Sequence, residues 1–363
     1  MRSYIERTKI FLQKHERRIS VFALLAGFVV DSLTLTQIDR LYDNMVIISY
    51  LVIVGVGIFV VNLYNNGKVV GKIFSLIDSF FPIFISFAFG GLFSAFTIFY
   101  SRSATFSGSW PFLLLLIGLL IGNEFLKKHY RIFTLQITLL FFVVYSYFIF
   151  IVPILLQKIG TIIFITSGIL ALFAIAYYRK IIKKFIPDLH EKTKWSVTFS
   201  IALVFIAVNV LYIFNFIPPI PLSLKHIGVY HGVVRTNSGN YIVRSEPTTW
   251  FRKFFFTDVY NKTPGERAFV MSSVYAPVDL KVDIVHEWQK YNEEKSQWEK
   301  VFVVDFPVKG GRLEGYRGYS FSENPAVGLW RVNVKTTKGQ IIGRQKFNIV
   351  EATGDINIVQ ETL

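Results

Sequence analysis

Long runs of apolar residues dominate the first 220 residues of the chain. A helix needs about 20 such residues to cross a membrane, and lipid offers the backbone amides no hydrogen-bond partners, so each run is predicted to be helical. The sequence therefore predicts an all-α membrane bundle. We predict seven transmembrane helices, at Ser20–Leu35, Met45–Tyr64, Ile77–Tyr100, Trp110–Phe125, Ile132–Leu156, Thr161–Tyr178 and Ser196–Ile217.

The pattern changes after the Pro-rich segment Ile217–Pro221, because proline cannot continue a helix. Further along the chain, apolar side chains alternate with polar ones, as at Val282, Ile284 and Trp288, and this period of two is typical of β-strands. Five or more short strands predict a C-terminal all-β sandwich domain of immunoglobulin-like type. The predicted organisation is a basic arm (1–19), the seven-helix domain (20–217), a Pro-rich stalk with a juxtamembrane segment (218–264), the sandwich (265–352) and a tail (353–363).

The composition agrees with a membrane protein. The 363-residue chain is 52% hydrophobic and 17% aromatic, with a mean hydropathy of +0.45, which is too apolar for an ordinary soluble protein of this length. It contains no cysteine. Disulfides, thiolate metal sites and cysteine nucleophiles are therefore excluded.

The net charge of +15 is concentrated in the first part of the chain, with +11 in residues 1–221 and +4 in residues 222–363. Seventeen Lys and Arg residues fall in the arm and alternate loops, against three in the opposite loops. Basic residues mark the cytoplasmic side. We therefore predict a cytoplasmic N-terminus and, in a bacterial inner membrane, a periplasmic C-terminal domain. Membrane lipids account for this charge, and we expect no nucleic-acid partner.

Three segments of the predicted sandwich resemble the bacterial domain of unknown function 2914 family. They are HEW at His286–Trp288, RLEGYRGYS at Arg312–Ser320, and GLWRVNVKTTKGQIIGRQKFNIV at Gly328–Val350. The resemblance covers Arg267–Val350. The joint PPIPLSLKHIGVYH after a multi-span bundle is also similar to uncharacterised bacterial inner-membrane proteins. Because the family has no established activity, the resemblance implies a fold and a location and no reaction.

Ionisable residues within the apolar runs are candidates for function, because a charge in the membrane is costly. Asp31 lies within the first predicted span, and Arg102, at the outer end of the third, is a possible ion-pair partner. The alternative is a structural contact between helices. Glu124, beside Asn123, has lysines three and four residues further on, so an ion pair within its own helix is the simpler interpretation.

The predicted sandwich also contains candidate partner-binding residues. Arg312, Tyr316, Arg317 and Tyr319 have the composition of a surface for a carbohydrate or an anionic polymer, although an edge strand with solvated arginines explains them equally well. His286 shares the face of Trp288. It is therefore either a partner-binding residue or part of the core.

The sequence contains no recognisable catalytic triad, paired carboxylates, phosphate-binding loop or set of metal ligands. We therefore name no catalytic residue, cofactor or metal, and a non-enzymatic role is the favoured expectation. The leading hypothesis is an inner-membrane protein whose periplasmic domain binds an envelope glycan or protein partner, as an anchor, sensor or accessory subunit. The alternative is a transporter or lipid-handling membrane enzyme with a site around Asp31 and Arg102.

Overall fold

A computed structural model of the chain describes residues 27–35, 40–103, 106–126, 129–237, 239–247, 257–277, 280–310 and 314–363. The chain divides into two compact units. The helical unit extends to Phe216, and the β unit comprises Ile217–Leu363 together with two short segments, Arg102–Ser109 and Leu156–Gly160.

Among the described residues of the helical unit, six helices are long and apolar enough to cross a membrane. Of the first predicted span, residues 27–34 are helical, and residues 20–26 lie outside the described part of the chain. The seventh span therefore stays a prediction. The helices are α1 (residues 27–34), α2 (Leu41–Asn65), α3 (Lys72–Ser103), α4 (Phe106–Leu126), α5 (Phe133–Leu156), α6 (Thr161–Phe185) and α7 (Pro187–Ile213).

The connection between α6 and α7 differs from the predicted loop. Helix α6 continues to Phe185, and α7 begins at Pro187 after the single residue Ile186. Lysine and arginine are good helix formers, and proline is tolerated at the first position of a helix. The helices therefore continue beyond the apolar runs, and the proline sets the break between them.

Helices α3 and α5 form the centre of the helical unit. Their most apolar stretches are 72% and 61% buried, against 17% for α7. A side chain at Gly91 of α3 would place its Cβ 2.8 Å from the ring of Tyr50 in α2. The absence of a side chain at this position allows the two helices to approach closely.

The described residues of the β unit form three sheets. The strands are β1 (Ser223–Tyr230), β2 (Gly232–Arg235), β3 (Tyr241–Ser245), β4 (Asp258–Lys262), β5 (Ala268–Tyr275), β6 (Lys281–Asn292), β7 (Gln297–Lys309), β8 (Tyr316–Ser322), β9 (Gly328–Thr336), β10 (Ile341–Glu351) and β11 (Val359–Thr362). The strand orders are β1-β5-β8, β4-β10-β9-β6-β7 and β11-β3-β2, and all pairs are antiparallel except the parallel pair of β4 and β10.

The sheet containing β5 packs against the five-stranded sheet. Val270 of β5, Trp288 of β6 and Phe347 of β10 belong to one buried cluster, so the predicted alternation in β6 does point one set of side chains into a core. The other face of β5 is also covered, because Met271 packs with Val243 of β3. Strand β5 is thus buried on both faces, and the small third sheet is part of the β unit.

The β unit extends beyond the predicted sandwich boundaries at 265 and 352. Strands β1 to β4 lie within the predicted stalk and juxtamembrane segment, and β11 lies within the predicted tail. The reason is pairing over long sequence distances. Strand β1 pairs with β5, β4 with β10, and β11 with β3.

Candidate binding surface

The five-stranded sheet has one face in the core and one face turned away from it. Side chains alternate along a strand, so the buried residues Trp288 and Val332 alternate with polar ones. Eight residues on the side opposite the core form what we call the outer sheet face. They are Glu287 and Gln289 of β6, Trp298 of β7, Arg331, Asn333 and Lys335 of β9, and Arg344 and Lys346 of β10.

Asn333 is the centre of a hydrogen-bond network on the outer sheet face. Its side chain is buried, and its Nδ2 donates to Glu287 Oε1 at 3.3 Å and to Gln289 Oε1 at 3.2 Å. Its Oδ1 accepts a 2.6 Å bond from Arg344 Nε. Gln289 Oε1 also accepts a 2.5 Å bond from Arg331 Nε. Both guanidinium groups are thus held at their Nε atoms by neutral amides.

The carboxylate of this network, Glu287, is already paired. Lys335 Nζ lies 2.5 Å from Glu287 Oε2. Burial alone would raise the pKa of the Glu287 carboxyl, but hydrogen bonds from Lys335 and Asn333 outweigh it and hold the pKa below its usual value. Glu287 is therefore ionised at neutral pH, and its charge is largely offset by Lys335.

Two cations, Arg331 and Lys346, lie near an aromatic pair at the edge of this network. The Arg331 guanidinium carbon is 4.2 Å from the centre of the Trp298 ring, and Lys346 Nζ is 6.0 Å from it. The rings of Tyr291 and Trp298 are 5.2 Å apart at 61°. Burial, followed by the charge of Arg344, lowers the pKa of Arg331 to about 10. The guanidinium stays charged at neutral pH.

The four predicted residues near β8 do not share one face. Tyr316 packs against the core and helps line a cavity of about 360 Å³. By alternation, Arg317 and Tyr319 lie on the opposite side of β8, where the rings of Tyr319 and Tyr241 are 6.1 Å apart. Arg312 lies outside the described residues. Arg317 and Tyr319 therefore form a second, smaller candidate surface.

His286 is fully buried between the sheets. Its Nε2 lies 2.7 Å from Ser272 Oγ and its Nδ1 lies 2.9 Å from Ser320 Oγ, which also accepts a 2.8 Å bond from Trp288 Nε1. Burial lowers the pKa of His286 to about 3, so the imidazole is neutral. A partner has no access to this side chain, and the network joins β5, β6 and β8 internally.

A second histidine forms a polar cluster that sequence reasoning did not identify. His231 is buried, with Nδ1 2.7 Å from Glu266 Oε1 and Nε2 3.2 Å from Glu246 Oε1. Its ring stacks on Tyr260 at 4.3 Å. The two carboxylates come from separate connections between strands, so no local spacing in the sequence indicates the cluster.

Two of the intramembrane candidates, Asp31 and Arg102, lie near the C-terminal ends of α1 and α3, respectively. Asp31 of α1 is half-buried and lies near Ser94 of α3 and Tyr50 of α2. Arg102 is half-buried in the last turn of α3. The proposed pairing of Asp31 with Arg102 stays a prediction, as does the alternative function built on it.

Asn123 belongs to a buried network of neutral groups. Its Nδ2 donates to Ser86 O at 2.8 Å, and its Oδ1 accepts a hydrogen bond from Tyr130 OH. Gln136 continues the network, because its Nε2 donates to Tyr130 O at 2.6 Å and its Oε1 accepts a 2.7 Å bond from Asn62 Nδ2. The network joins α2, α3, α4 and α5. Glu124, the next residue after Asn123, is half-buried.

These features define a class of protein: a chain whose described part contains six candidate membrane-spanning helices followed by a β-rich domain. Residues 281–349 match the family described as Protein of unknown function (DUF2914). The match confirms the predicted resemblance and extends from β6 into β10. It includes all eight residues of the outer sheet face. No curated protein matches the chain.

Solved structures resemble the chain only weakly. A β-glucosidase from Listeria innocua in complex with glucose has a TM-score of 0.20 at 12% identity over 31% of this chain and 16% of that one. An immunoglobulin-like protein from Pseudomonas aeruginosa has a TM-score of 0.19 at 11% identity over 34% and 97%. An alkylpurine DNA glycosylase from Pseudomonas fluorescens bound to DNA has a TM-score of 0.23 at 12% identity over 77% and 82%. Likenesses at this level carry no structural or functional argument.

Proposed function

We propose that the chain is a seven-span protein of the bacterial inner membrane that displays an immunoglobulin-like β-domain in the periplasm, where the domain binds an envelope glycan or protein partner. The six candidate spans support the membrane location. The excess of Lys and Arg in alternate loops supports a cytoplasmic N-terminus. With an odd number of spans, the β unit then lies on the opposite side.

The observation that carries the binding role is the arrangement of the outer sheet face. Arg331 and Arg344 are fixed by hydrogen bonds to Gln289 and Asn333 before any partner arrives. Side chains that are already ordered lose less entropy when they bind. Tryptophan and arginine are also the residue types that contribute most to binding energy at interfaces, and Trp298 lies directly beneath Arg331.

In this proposal the helical unit anchors the β unit. Helices α6 and α7 meet at Ile186 within a basic segment on the predicted cytoplasmic side. The helical unit then serves as an anchor or accessory element for the β unit and not as an independent transducer.

Binding of envelope material tests the proposal. The full chain in lipid nanodiscs is incubated with polysaccharide and protein fractions of the native cell envelope, and the affinity for each fraction is measured. Trp298→Ala is expected to weaken binding by about 10-fold or more, as for an interface residue of this type. Tyr319→Ala, on the second candidate surface, is the matched aromatic control and is expected to bind like the unaltered chain.

Two outcomes would contradict this account. If Tyr319→Ala loses binding while Trp298→Ala retains it, the surface near β8 is the binding site and the outer sheet face is not. If the unaltered chain binds no envelope fraction, the binding role itself fails.

A further inference from the structure

The outer sheet face concentrates positive charge where β9 pairs with β10. Lys346 of β10 is the direct cross-strand partner of Arg331 of β9, and Arg344 lies diagonally beside them. Like charges in directly opposed positions destabilise a sheet. The nearby carboxylate, Glu287, is already paired with Lys335. Among the described residues, no carboxylate forms an ion pair with Arg331 or Lys346.

The orientation of Arg331 leaves one edge of its guanidinium available. Its Nε donates to Gln289 Oε1 at 2.5 Å, and the group lies 4.2 Å over the Trp298 ring. Within the part of the chain that the structure describes, the two Nη groups of Arg331 donate to no protein acceptor. A guanidinium with two free Nη groups binds a carboxylate through two parallel hydrogen bonds.

We propose that Arg331, Arg344, Lys346 and Trp298 form a site for an acidic polysaccharide, with the carboxylate of a uronic-acid residue bound at Arg331. This inference rests on the proposed function. The positive charge of the site is complementary to a polymer that carries one carboxylate on each sugar. Arg344 and Lys346 are placed to attract the carboxylates of neighbouring sugars.

The aromatic pair favours a sugar over an acidic peptide. Trp298 and Tyr291 are both partly exposed beside Arg331. A sugar ring has apolar C–H faces that pack on aromatic rings, so a uronic acid bound at Arg331 can contact Tyr291 and the part of the Trp298 ring that Arg331 leaves exposed. A glutamate side chain supplies the carboxylate without an equivalent ring. The neighbouring amides of Gln289 and Asn333 belong to the network that holds the arginines.

Calorimetric titration of the full chain in nanodiscs with a galacturonic acid hexamer tests the site. A galactose hexamer provides the neutral sugar, and a glutamic acid hexamer provides carboxylates without sugar rings. We expect the galacturonic acid hexamer to bind most tightly. Arg331→Gln should weaken it by about 10-fold or more through loss of the paired hydrogen bonds, and Arg331→Lys should weaken it less because the charge remains.

Lys281→Gln is the control for charge alone. Lys281 is exposed on β6, about 26 Å along the strand from Gln289 at roughly 3.3 Å per residue. Lys281→Gln removes a single positive charge from the same sheet, as Arg331→Gln does. The site assignment predicts that this variant binds the galacturonic acid hexamer with unchanged affinity. Equal losses in the two variants would show non-specific attraction and overturn the proposal.

The remaining outcomes also decide the proposal. Equal or tighter binding of the glutamic acid hexamer would overturn the choice of a sugar ligand in favour of an acidic peptide. No binding of any hexamer, with Trp298-dependent binding of envelope material retained, would overturn the acidic-sugar site and leave the proposed function standing. Loss of both the hexamer binding and the binding of envelope material would overturn the acidic-sugar site and the proposed function together. If Arg331→Gln fails to fold, the affinities of Arg331→Lys and Lys281→Gln for the galacturonic acid hexamer are compared instead. A weaker affinity in Arg331→Lys alone supports the site, and equal affinities overturn it.

Discussion

The helical unit and the β unit distribute apolar side chains in opposite ways. In the helical unit, large apolar residues cover the outside as well as the inside; Phe199 of α7 is 71% exposed and Leu114 of α4 is 56% exposed. In the β unit the core side chain Trp288 is fully buried. The difference follows from the solvent, because lipid accepts apolar surface and water does not. Apolar patterning therefore indicates the inner face of a strand in the β unit, but not the inner face of a helix.

Two buried asparagines show the same contrast for polar groups. Asn123 of α4 and Asn333 of β9 are each only 3% exposed, and each is the centre of a network. Asn123 bonds to a backbone carbonyl and a tyrosine hydroxyl, which are neutral. Asn333 bonds to Glu287 and Arg344, which are charged. The first network closes within the helical unit, and the second organises a surface.

The largest expected effect comes from opening a cavity in the β unit. Trp288→Ala removes a fully buried aromatic side chain and its hydrogen bond to Ser320. We expect it to lower the free energy of unfolding of the β unit by about 3–5 kcal/mol. Phe199→Ala, a control on an exposed face of α7, should change stability by less than about 1 kcal/mol. Hydrogen exchange in the full chain measures the first effect at β6 and the second at α7, and equal losses of stability would contradict the contrast.

The next effect is a loss of stability at acidic pH that originates at His286. Its pKa is about 3 in the folded state and about 6.5 when unfolded. As pH falls below 6.5, the unfolded chain therefore binds a proton that the folded chain does not. The stability contributed by neutral His286 is complete above pH 6.5, and about 2 kcal/mol is lost by pH 5.

The variant His286→Gln isolates this contribution, because other groups that titrate in the same range are unchanged. Urea unfolding of the full chain at pH 7.5 and at pH 5 is compared for the two proteins. The unaltered β unit should lose about 2 kcal/mol more than the variant over this interval. A pH dependence that is the same in both proteins would show that His286 is not held neutral by burial.

A smaller effect is expected in the helical unit. Asn123→Ala removes the partner of Tyr130 OH and the donor to Ser86 O. Buried hydrogen bonds between membrane helices contribute about 0.6 kcal/mol on average and up to about 1.7, so we expect a loss of about 1 kcal/mol. Ser200→Ala is the control, because Ser200 donates to Ser196 O within its own helix. Thermal denaturation in detergent compares them, and equal stability of the two variants would exclude a structural role for the network.

Much of the fold could be predicted from the sequence, because lipid and water impose strong local patterns. The apolar runs predicted the positions of α2 to α7, and alternation in β6 predicted its buried face. The helical continuation between α6 and α7 was missed, because a membrane boundary need not end a helix. The roles of β1 and β11 were also missed. Their pairing partners lie far away along the chain, where no local pattern indicates them.

The candidate site was harder to predict for a related reason. The sequence segment that contains Arg331, Arg344 and Lys346 predicted strands correctly, and a period of two already places Arg331 and Asn333 on one face. The register that sets Arg344 opposite Asn333 comes from the pairing of β9 with β10. Near β8, the same period of two places Tyr316 and Tyr319 on opposite faces of the strand. Composition alone suggested that they share one surface.

The central claim is that the β unit is displayed outside the cytoplasm, and labelling of single cysteines tests it most directly. Because the chain contains no cysteine, Glu294→Cys in the exposed turn between β6 and β7 and Lys192→Cys near the start of α7 each introduce a unique thiol. Spheroplasts are treated with a membrane-impermeant maleimide before and after lysis. The account predicts that Glu294→Cys reacts in intact spheroplasts and that Lys192→Cys reacts only after lysis. The reverse pattern would place the β unit in the cytoplasm and contradict the account.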